Sequence, residues 1–162
     1  MSPADIRIVA ATERDVPTIL ALIKGLAEYE RLPHEVEATE EGIRESLFGE
    51  WPAAEVVIAY VGADLAGFAL FFHNYSTFLG RRGLFLEDLF VLPAYRGRGV
   101  GRRLLSHLAR TAIERKCGRM EWWVLDWNET AHRFYRSIGA APMDEWTVWR
   151  LNGDAMARLA DL

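Results

Sequence analysis

The chain has 162 residues, of which 51% are hydrophobic and 26% are charged, with a formal net charge of −4. This size and composition are typical of one soluble globular domain, and the negative balance argues against broad binding to nucleic acid. The apolar runs are too short for a transmembrane helix and the single cysteine, Cys117, excludes an internal disulfide framework, so we expect a cytoplasmic protein without membrane association.

The first half of the chain predicts a strand, two helices and then a run of strands. The four predicted strands are residues 6–10, 56–61, 65–75 and 84–91. Two apolar stripes at helical spacing lie between the first two strands, with Thr12 and Thr39 as N-caps and Asp15 near the capping-box position of the first. A turn at residues 62–64 makes the second and third strands a hairpin.

The second half begins with a glycine-rich turn and a helix that runs to about residue 116. The elements predicted beyond it are a strand at 119–125, a short helix between Asn128 and Gly139, a strand at 145–151 and a terminal helix capped by Asn152. An antiparallel meander followed by a helical crossover predicts an α+β, or mixed α/β, fold rather than a fully parallel doubly wound one.

The most informative stretch is the turn at residues 96–101, Arg-Gly-Arg-Gly-Val-Gly. Glycines let the backbone approach a ligand closely, and the next helix adds unpaired N–H groups and the positive end of its dipole. Four arginines within residues 96–103 favour an anion such as pyrophosphate over the alternative, a plain structural connection. The turn lacks the Gly-Lys-Ser/Thr ending of a P-loop and the acidic residue that follows a dinucleotide fingerprint by about 20 residues.

Residues 91–101 resemble the acetyl-CoA signature of the Gcn5-related N-acetyltransferases, the GNAT superfamily, whose core pattern is Arg/Gln-x-x-Gly-x-Gly/Ala. The stretches that resemble the spermidine/spermine (diamine) acetyltransferase branch are residues 22–30, 48–50, 86–91, 126–129 and 134–135. The resemblance spans nearly the whole chain. It implies a GNAT-like fold in which one domain, residues 1–162, is built on a central, mostly antiparallel twisted sheet flanked by helices.

The resemblance implies that acetyl-CoA is the co-substrate. Backbone N–H groups of the turn would hold its pyrophosphate, and the end of the fourth strand would pair with the pantetheine arm like an added strand. A bulge in that strand, and a next strand that splays away, would admit the cofactor. The residues so assigned are Leu89, Phe90, Val91, Arg96, Gly97, Arg98, Gly99, Val100, Gly101, Arg102 and Asn128. Asn128 is also a candidate helix N-cap, and the two roles are compatible.

The same resemblance assigns the catalytic residues. Tyr135 would be the general acid, since a phenol stays protonated at neutral pH and can donate its proton to a departing thiolate. Glu87 would contact the acceptor amine and help, directly or through water, to deprotonate it. The alternatives are a core aromatic with a satisfied hydroxyl for Tyr135 and a structural hydrogen bond for Glu87.

Carboxylates in the acceptor pocket would attract a cationic amine. The residues assigned to this pocket are Tyr29, Glu30, Glu87, Asp88 and Trp122. Strand alternation predicts that Glu87 and Asp88 lie on opposite faces of the sheet, so that only one faces the pocket. Only one of Trp122 and Trp123 would face it, and alternation does not choose between them. For Glu30 the alternative is a solvated helix end.

These features predict an enzyme that transfers an acetyl group from acetyl-CoA directly to a primary amine of a small cationic acceptor, either a polyamine or a thialysine- or lysine-like molecule. Cys117 has no His or Asp motif of a nucleophile, which favours direct transfer. Phe78, where animal polyamine enzymes tend to carry Trp, weakens the case for polyamines. The alternatives are a protein N-terminal or lysine acetyltransferase of the same fold and a non-catalytic acyl-CoA-binding module.

The remaining expectations concern partners. The resemblance implies a homodimer with the acceptor pocket near the subunit interface, and Phe78, Trp146 and Trp149 are candidates for apolar surface. No nucleic acid or membrane partner is expected. The four histidines are scattered without metal-ligand spacing, so no metal site is predicted.

Overall fold

The structure is a computed structural model that describes residues 5–162; residues 1–4 of the expected domain lie outside this range. The chain divides into two compact units, of which the first ends at Trp123 and the second is Val124–Leu162. The elements of the first unit are β1 (Ile6–Ala10), α1 (Val16–Tyr29), α2 (Glu40–Phe48), β2 (Glu55–Val61), β3 (Asp64–Ser76), β4 (Arg81–Val91), α3 (Val100–Glu114) and β5 (Met120–Trp122). Those of the second unit are α4 (Glu129–Ser137) and α5 (Gly153–Ala160). None of these helices is both long and apolar enough to cross a membrane.

The five strands form one sheet in chain order, β1-β2-β3-β4-β5. Neighbours from β1 to β4 are antiparallel, whereas β5 runs parallel to β4 after the crossover through α3. The prediction of a mixed, mostly antiparallel sheet is therefore confirmed.

One face of the sheet, called the α1 face, packs against α1 and α2. Its buried core consists of Val16, Ile19, Leu22, Leu26, Ile43, Val56, Ile58, Phe68 and Phe90. Gly25 lets α1 come close to β4, because a Cβ added there would lie 2.9 Å from the Phe90 ring. The α1 helix and the strand that carries the signature turn are thus in direct contact.

The opposite face, called the α3 face, takes the alternate side chains of the strands. Val57 and Ala59 of β2 are buried there, and α3 packs against the sheet through its own apolar stripe. The buried residues of that stripe are Val100, Leu104, Leu105, Leu108 and Ala112. Since α3 begins directly after the glycine-rich turn, burial of this stripe fixes the turn relative to the sheet.

A β-bulge interrupts β4 at Glu87. Leu86 lies opposite Phe71 of β3, but the next pair is Asp88 with Leu70, so Glu87 is an extra residue in β4. The bulge moves every residue after Glu87 by one position, which changes the face on which each side chain lies.

The second unit contains one outright error of prediction. Residues 145–151 were expected to form a strand, but in the described part of the chain they join no ladder. Trp146, Val148, Trp149 and Leu151 are exposed. Alternating apolar residues fit a pleated surface, but a strand also needs a partner that sequence alone does not provide.

Among the other predicted elements and caps, some are confirmed and some hold only in part. The strand expected at 119–125 is only Met120–Trp122, and Asn152 precedes α5 without a side-chain capping bond. The cap of α4 is confirmed, since Asn128 Oδ1 accepts from Ala131 N at 3.2 Å. So is the cap of α2, where Thr39 Oγ1 accepts from Gly42 N at 3.1 Å.

Candidate active site

The signature turn, residues 96–101, has the backbone of an anion cradle. Gly97 and Gly99 have φ angles of 71° and 86°, in the left-handed region that favours glycine. The first hydrogen bond of α3 runs from Arg103 N to Gly99 O at 2.9 Å, so the N–H groups of the residues just before Arg103 have no acceptor within the helix. A Cβ on either glycine would meet nothing within 4 Å. Glycines with positive φ directly before a helix N-terminus are a backbone arrangement that fits a phosphate group.

Neighbouring side chains hold the turn in place. The pKa of the Tyr95 hydroxyl is raised by partial desolvation and by its hydrogen bond to Asp64, which lies at the start of β3. The Arg98 guanidinium lies 5.4 Å from the centre of the Tyr95 ring. Val100, one of the residues assigned to the cofactor, has its side chain buried in the core, so only its backbone faces outward. Arg102 is exposed on the first turn of α3.

The side chain of Arg96 contacts residues outside the turn. Its Nε donates to Val91 O at 2.9 Å, and its guanidinium lies 4.7 Å from the centre of the Tyr29 ring and 5.5 Å from that of Phe90. The side chain is therefore held against β4 and the end of α1. This arrangement has no signal in the sequence, because Tyr29 is far from Arg96 along the chain.

The second part of the site is an edge of β4. In the described residues β5 pairs with β4 only at Leu84–Leu86, so the ladder between the two strands ends at Leu86. Leu92 N donates to Ala66 O at 2.9 Å, which sets the alternation of the β3–β4 ladder. The backbone of Leu89 and Val91 then faces away from β3. We call this side of β4 the open edge. The expected bulge is confirmed, whereas the expected splaying of the next strand stays a prediction, because β5 ends at Trp122.

Phe90 was assigned to the pantetheine arm together with its neighbours, and the register corrects this. Phe90 lies opposite Phe68 in the ladder, so its backbone faces β3 rather than the open edge. Its side chain is buried in the core under α1. A main-chain ligand at the open edge would therefore reach Leu89 and Val91 but not Phe90.

Three carboxylates meet on the α1 face, and we call them the acidic cluster: Glu30, Glu87 and Asp88. Alternation from Leu86 puts Glu87 on the α1 face, and pairing with Leu70 puts Asp88 on the same face. The prediction that these two residues lie on opposite faces is therefore wrong. Glu87 is itself the extra residue of the bulge, so regular alternation is interrupted between Glu87 and Asp88. Glu30 joins them from the C-terminal end of α1.

Two carboxyl groups of the acidic cluster, those of Asp88 and Glu30, have raised pKa values. Burial, followed by the negative charges of Glu87 and Glu30, raises the pKa of Asp88 from 3.8 to about 7. Burial and the charge of Glu87 also raise the pKa of Glu30. Because an opposite charge would relieve both effects, this cluster suits a cationic ligand. Tyr29, the last residue of α1, stands beside Glu30.

Trp122, the last residue of β5, and Trp123, the residue after it, lie on different faces of the sheet. Trp122 pairs with Leu86, so it lies on the α3 face and the structure does not bring it to the acidic cluster. Trp123 makes an edge contact with Phe85, with ring centres 5.6 Å apart, on the face that also carries the cluster. The structure therefore puts Trp123, and not Trp122, on the face of the sheet that carries the acidic cluster.

The second unit carries the other two assigned residues on one short helix. Asn128 caps α4, and Tyr135 lies on its second turn, with its ring centre 5.4 Å from that of Phe134. His132 Nε2 lies 3.2 Å from Leu125 O, which ties the helix to the segment before it. The roles of Asn128 at the cofactor and of Tyr135 in proton transfer stay predictions.

Comparisons with known proteins agree with this fold and site. A sequence model of the acetyltransferase (GNAT) family matches residues 22–140. Thialysine N-epsilon-acetyltransferase of Bos taurus is 37% identical, over 97% of this chain and 98% of that protein. L-ornithine N5-acetyltransferase of Arabidopsis thaliana is 33% identical, over 96% and 88%. A solved integron cassette protein of V. cholerae superposes with a TM-score of 0.82 at 26% identity, over 98% of this chain and 99% of that one.

The chain therefore belongs to the acetyltransferase (GNAT) family, as the signature turn indicated. It is an acyltransferase that acts on amines, and the alternative of a non-catalytic binding module is set aside.

Proposed function

We propose that the protein transfers the acetyl group of acetyl-CoA to the terminal primary amine of a small cationic acceptor. One observation carries the proposal: the bulge at Glu87 puts the acidic cluster directly before the open edge on the same strand. An amine held at the cluster and a chain paired with the edge would therefore meet at the middle of β4. The family model runs across both units, which supports a single functional domain.

On the donor side, acetyl-CoA supplies an activated acetyl thioester. The N–H groups of residues 97–102 would bind its pyrophosphate, and Arg98 and Arg102 would add positive charge. The backbone of Leu89 and Val91 would hydrogen-bond the amide groups of the pantetheine arm. N–H donors of the same edge would stabilise negative charge that develops on the acetyl oxygen. Asn128 would contact the cofactor from the start of α4.

On the acceptor side, the acidic cluster would bind the cationic amine and Glu87 would take its proton, directly or through a water molecule. The neutral nitrogen then forms a bond to the acetyl carbon while the carbon–sulfur bond breaks, and the nitrogen loses its second proton to solvent as it becomes an amide. Tyr135 would donate its proton to the departing thiolate, so that charge does not build up on sulfur, and would regain a proton from solvent. Tyr29 and Trp123 would provide aromatic walls for the cation.

The names of the relatives reduce the number of candidate acceptor molecules. Thialysine and ornithine are both amino acids with an amine at the end of a short chain, and two relatives are named for transfer to that amine. A cluster of three carboxylates suits such a molecule, and it equally suits a polyamine. We propose an amino acid of the lysine type as the first acceptor to test and polyamines as the second.

We also propose that the enzyme is a cytoplasmic homodimer. The lone cysteine supports a reducing compartment. Phe78, Trp146 and Trp149 are 97%, 75% and 91% exposed, and apolar side chains this accessible are typical of surfaces that a partner covers. Light scattering after size exclusion should give twice the mass of the chain, and a monomer at all concentrations would contradict the proposal.

The experiment is an acceptor panel read by release of free thiol from acetyl-CoA. It should contain thialysine, ornithine, lysine, spermidine, spermine, putrescine and an aminoglycoside, with intact-mass analysis of protein acceptors run alongside. We expect thiol release with one or more of the small acceptors, meaning the lysine-type amino acids and the polyamines. Tight binding of CoA without thiol release for any amine would refute the proposal. Acetylation of proteins alone would move the assignment to a protein acetyltransferase.

A matched pair of variants tests the general acid. Tyr135→Phe should lower kcat by about 100-fold, the range typical of a lost proton donor, with little change in the KM of acetyl-CoA. Tyr75→Phe is the control, since Tyr75 is 65% exposed on β3 and has no part in the proposed chemistry. Full turnover in Tyr135→Phe would remove Tyr135 from the mechanism.

A further inference from the structure

Arg96 of the signature turn has its guanidinium over the ring of Tyr29, a residue of α1. The hydrogen bond from Nε to Val91 O, at 2.9 Å, fixes the side chain against the last residue of β4. The distance of 4.7 Å to the Tyr29 ring is within the range of a cation–π contact, as is that of 5.5 Å to Phe90. Arg98, by comparison, lies over Tyr95 of the turn itself.

These contacts join the turn to the acidic cluster. Tyr29 is the last residue of α1, and Glu30 follows it directly. Glu30 in turn is close enough to Glu87 and Asp88 for its charge and theirs to affect one another. A guanidinium that holds the Tyr29 ring therefore also fixes where the Glu30 carboxylate stands relative to the bulge.

The contacts also direct the guanidinium away from a phosphate role. Arg is suited to phosphate when its planar fork faces the anion, but here Nε is engaged by a carbonyl and the cation lies over an aromatic ring. Val91 O, which faces the open edge, accepts this bond with one of its two lone pairs, so the Val91 N–H and the second lone pair stay available to a ligand there. The other exposed positive side chains of the turn, Arg98 and Arg102, are better placed to add charge at the glycine cradle.

We propose that Arg96 is a positioning residue for the acceptor site, which holds Tyr29 and Glu30 against the bulge of β4, rather than a ligand of the CoA pyrophosphate. The inference rests on the proposed function, since it concerns the same acceptor site. It predicts that substitutions at Arg96 change the kinetics of the amine much more than those of acetyl-CoA.

The test compares Arg96→Ala with Arg98→Ala. Arg96→Ala should raise the KM of the acceptor about tenfold, which corresponds to ~1.4 kcal/mol, while the Kd of CoA measured by calorimetry changes less than about twofold. Arg98→Ala should show the reverse pattern. A loss of CoA affinity in Arg96→Ala equal to that in Arg98→Ala, with an unchanged acceptor KM, would overturn the proposal.

Conservative variants identify the contact that matters. Arg96→Lys keeps a cation for the Tyr29 ring and should recover part of the acceptor KM, whereas Arg96→Gln keeps a donor for Val91 O and should not. In a Tyr29→Leu background, Arg96→Ala should have little further effect, because the two residues act through one contact. Independent, multiplicative effects of the two substitutions would contradict this.

A readout without turnover separates this inference from the proposed function. Carboxyl NMR should show the Asp88 titration moving to lower pH in Arg96→Ala, because Glu30 moves away and its charge no longer opposes ionisation of Asp88. This measurement also applies to Arg96→Gln, which likewise lacks the cation, if Arg96→Ala does not fold. An unchanged Asp88 titration in a folded Arg96→Ala would refute the positioning role, whereas failure of the amine panel alone would refute only the function.

Discussion

The signature turn and the acidic cluster are built in opposite ways. The turn is local: two glycines with positive φ and the first residues of α3 form a cradle from consecutive positions. The cluster is non-local, because Glu30 comes from α1 while Glu87 and Asp88 share a face only through the register between β3 and β4. A local site is visible in sequence, whereas a non-local one depends on how the sheet pairs.

The two regions also differ in their electrostatics. The turn combines arginine side chains with main-chain N–H groups, neither of which changes protonation near neutral pH. The cluster gathers negative charge in a partly buried position, where the pKa of Asp88 rises to about 7. The first arrangement suits an anion that is always charged, and the second suits a cation that must arrive and then lose a proton.

The largest effect that would sharpen this comparison is expected at Glu87. Glu87→Gln keeps the size of the side chain but removes its basicity, so kcat should fall by about 100-fold with little change in the Kd of CoA. Steady-state kinetics with the best amine of the panel measure this. Glu28→Gln, on the exposed side of the same helix end as Glu30, is the control and should match the parent enzyme. An unimpaired Glu87→Gln would place the base elsewhere.

The next largest effect is expected in the turn. Gly99→Ala forces a Cβ onto a backbone with φ of 86°, which costs about 1–2 kcal/mol of stability. The added methyl group also enters the proposed phosphate space, so the KM of acetyl-CoA should rise about tenfold.

Gly80→Ala is the matched control for this variant. Its φ is 63°, and a Cβ there also meets nothing within 4 Å, but it lies between β3 and β4. Denaturant unfolding should show similar losses of stability for both variants, and only Gly99→Ala should change the KM. Equal kinetics in the two variants would show that the turn does not bind the donor.

A pH-dependent effect is expected at Asp88. Its pKa in the folded protein, about 7, lies above the ordinary value of 3.8, so the native state holds a proton that the unfolded chain releases as pH rises between these values. Stability should therefore fall as pH rises through this window. Asp88→Asn removes this dependence and should have a higher Tm than the parent near pH 8, with a smaller difference near pH 4.

Thermal unfolding across pH measures the Asp88 effect, and Asp126→Asn supplies a control carboxylate outside the cluster. A constant Tm difference between Asp88→Asn and the parent at every pH would contradict the raised pKa. The acceptor KM should also fall as pH rises through about 7 in the parent, since ionised Asp88 attracts the cation more strongly, and this step should be absent in Asp88→Asn.

The smallest effect is expected at an ion pair that belongs to neither region. Arg115 Nη2 donates to Glu55 Oε1 at 2.8 Å in a partly exposed, two-pronged pair at the end of α3. Arg115→Ala should lower the free energy of unfolding by about 1 kcal/mol and leave the kinetics unchanged. The hydrogen bond from Arg115 lowers the pKa of Glu55, so the contribution is present above the ordinary value of 4.5 and is lost as pH falls below it. A kinetic defect would show that the site extends to α3.

Local signals were sufficient for much of the fold. Caps at Thr39 and Asn128, the apolar stripes of α1 and α3 and the β2–β3 hairpin all depend on residues a few positions apart, and each forms as predicted. The resemblance to the family predicted the bulge in β4, which spacing alone would not reveal.

The predictions that failed all depended on how the strands of the sheet pair. Glu87 and Asp88 share a face because Leu70 and Phe71 set the register, and Trp122 turns to the α3 face because it pairs with Leu86. Residues 145–151 have the composition of a strand but no ladder among the described residues. In each case the deciding partner lies far along the chain, where a periodic pattern carries no information.

The open edge of β4 has a consequence for how such an enzyme can diversify. Leu89 and Val91 offer main-chain groups there, and almost any side chain at these positions leaves the same N–H and C=O in place. A donor arm held by this main chain would therefore tolerate side-chain substitutions along the edge, whereas one substitution can neutralise a carboxylate of the acidic cluster. Descendants of one ancestor could exchange amines freely while inheriting the same acyl donor unchanged.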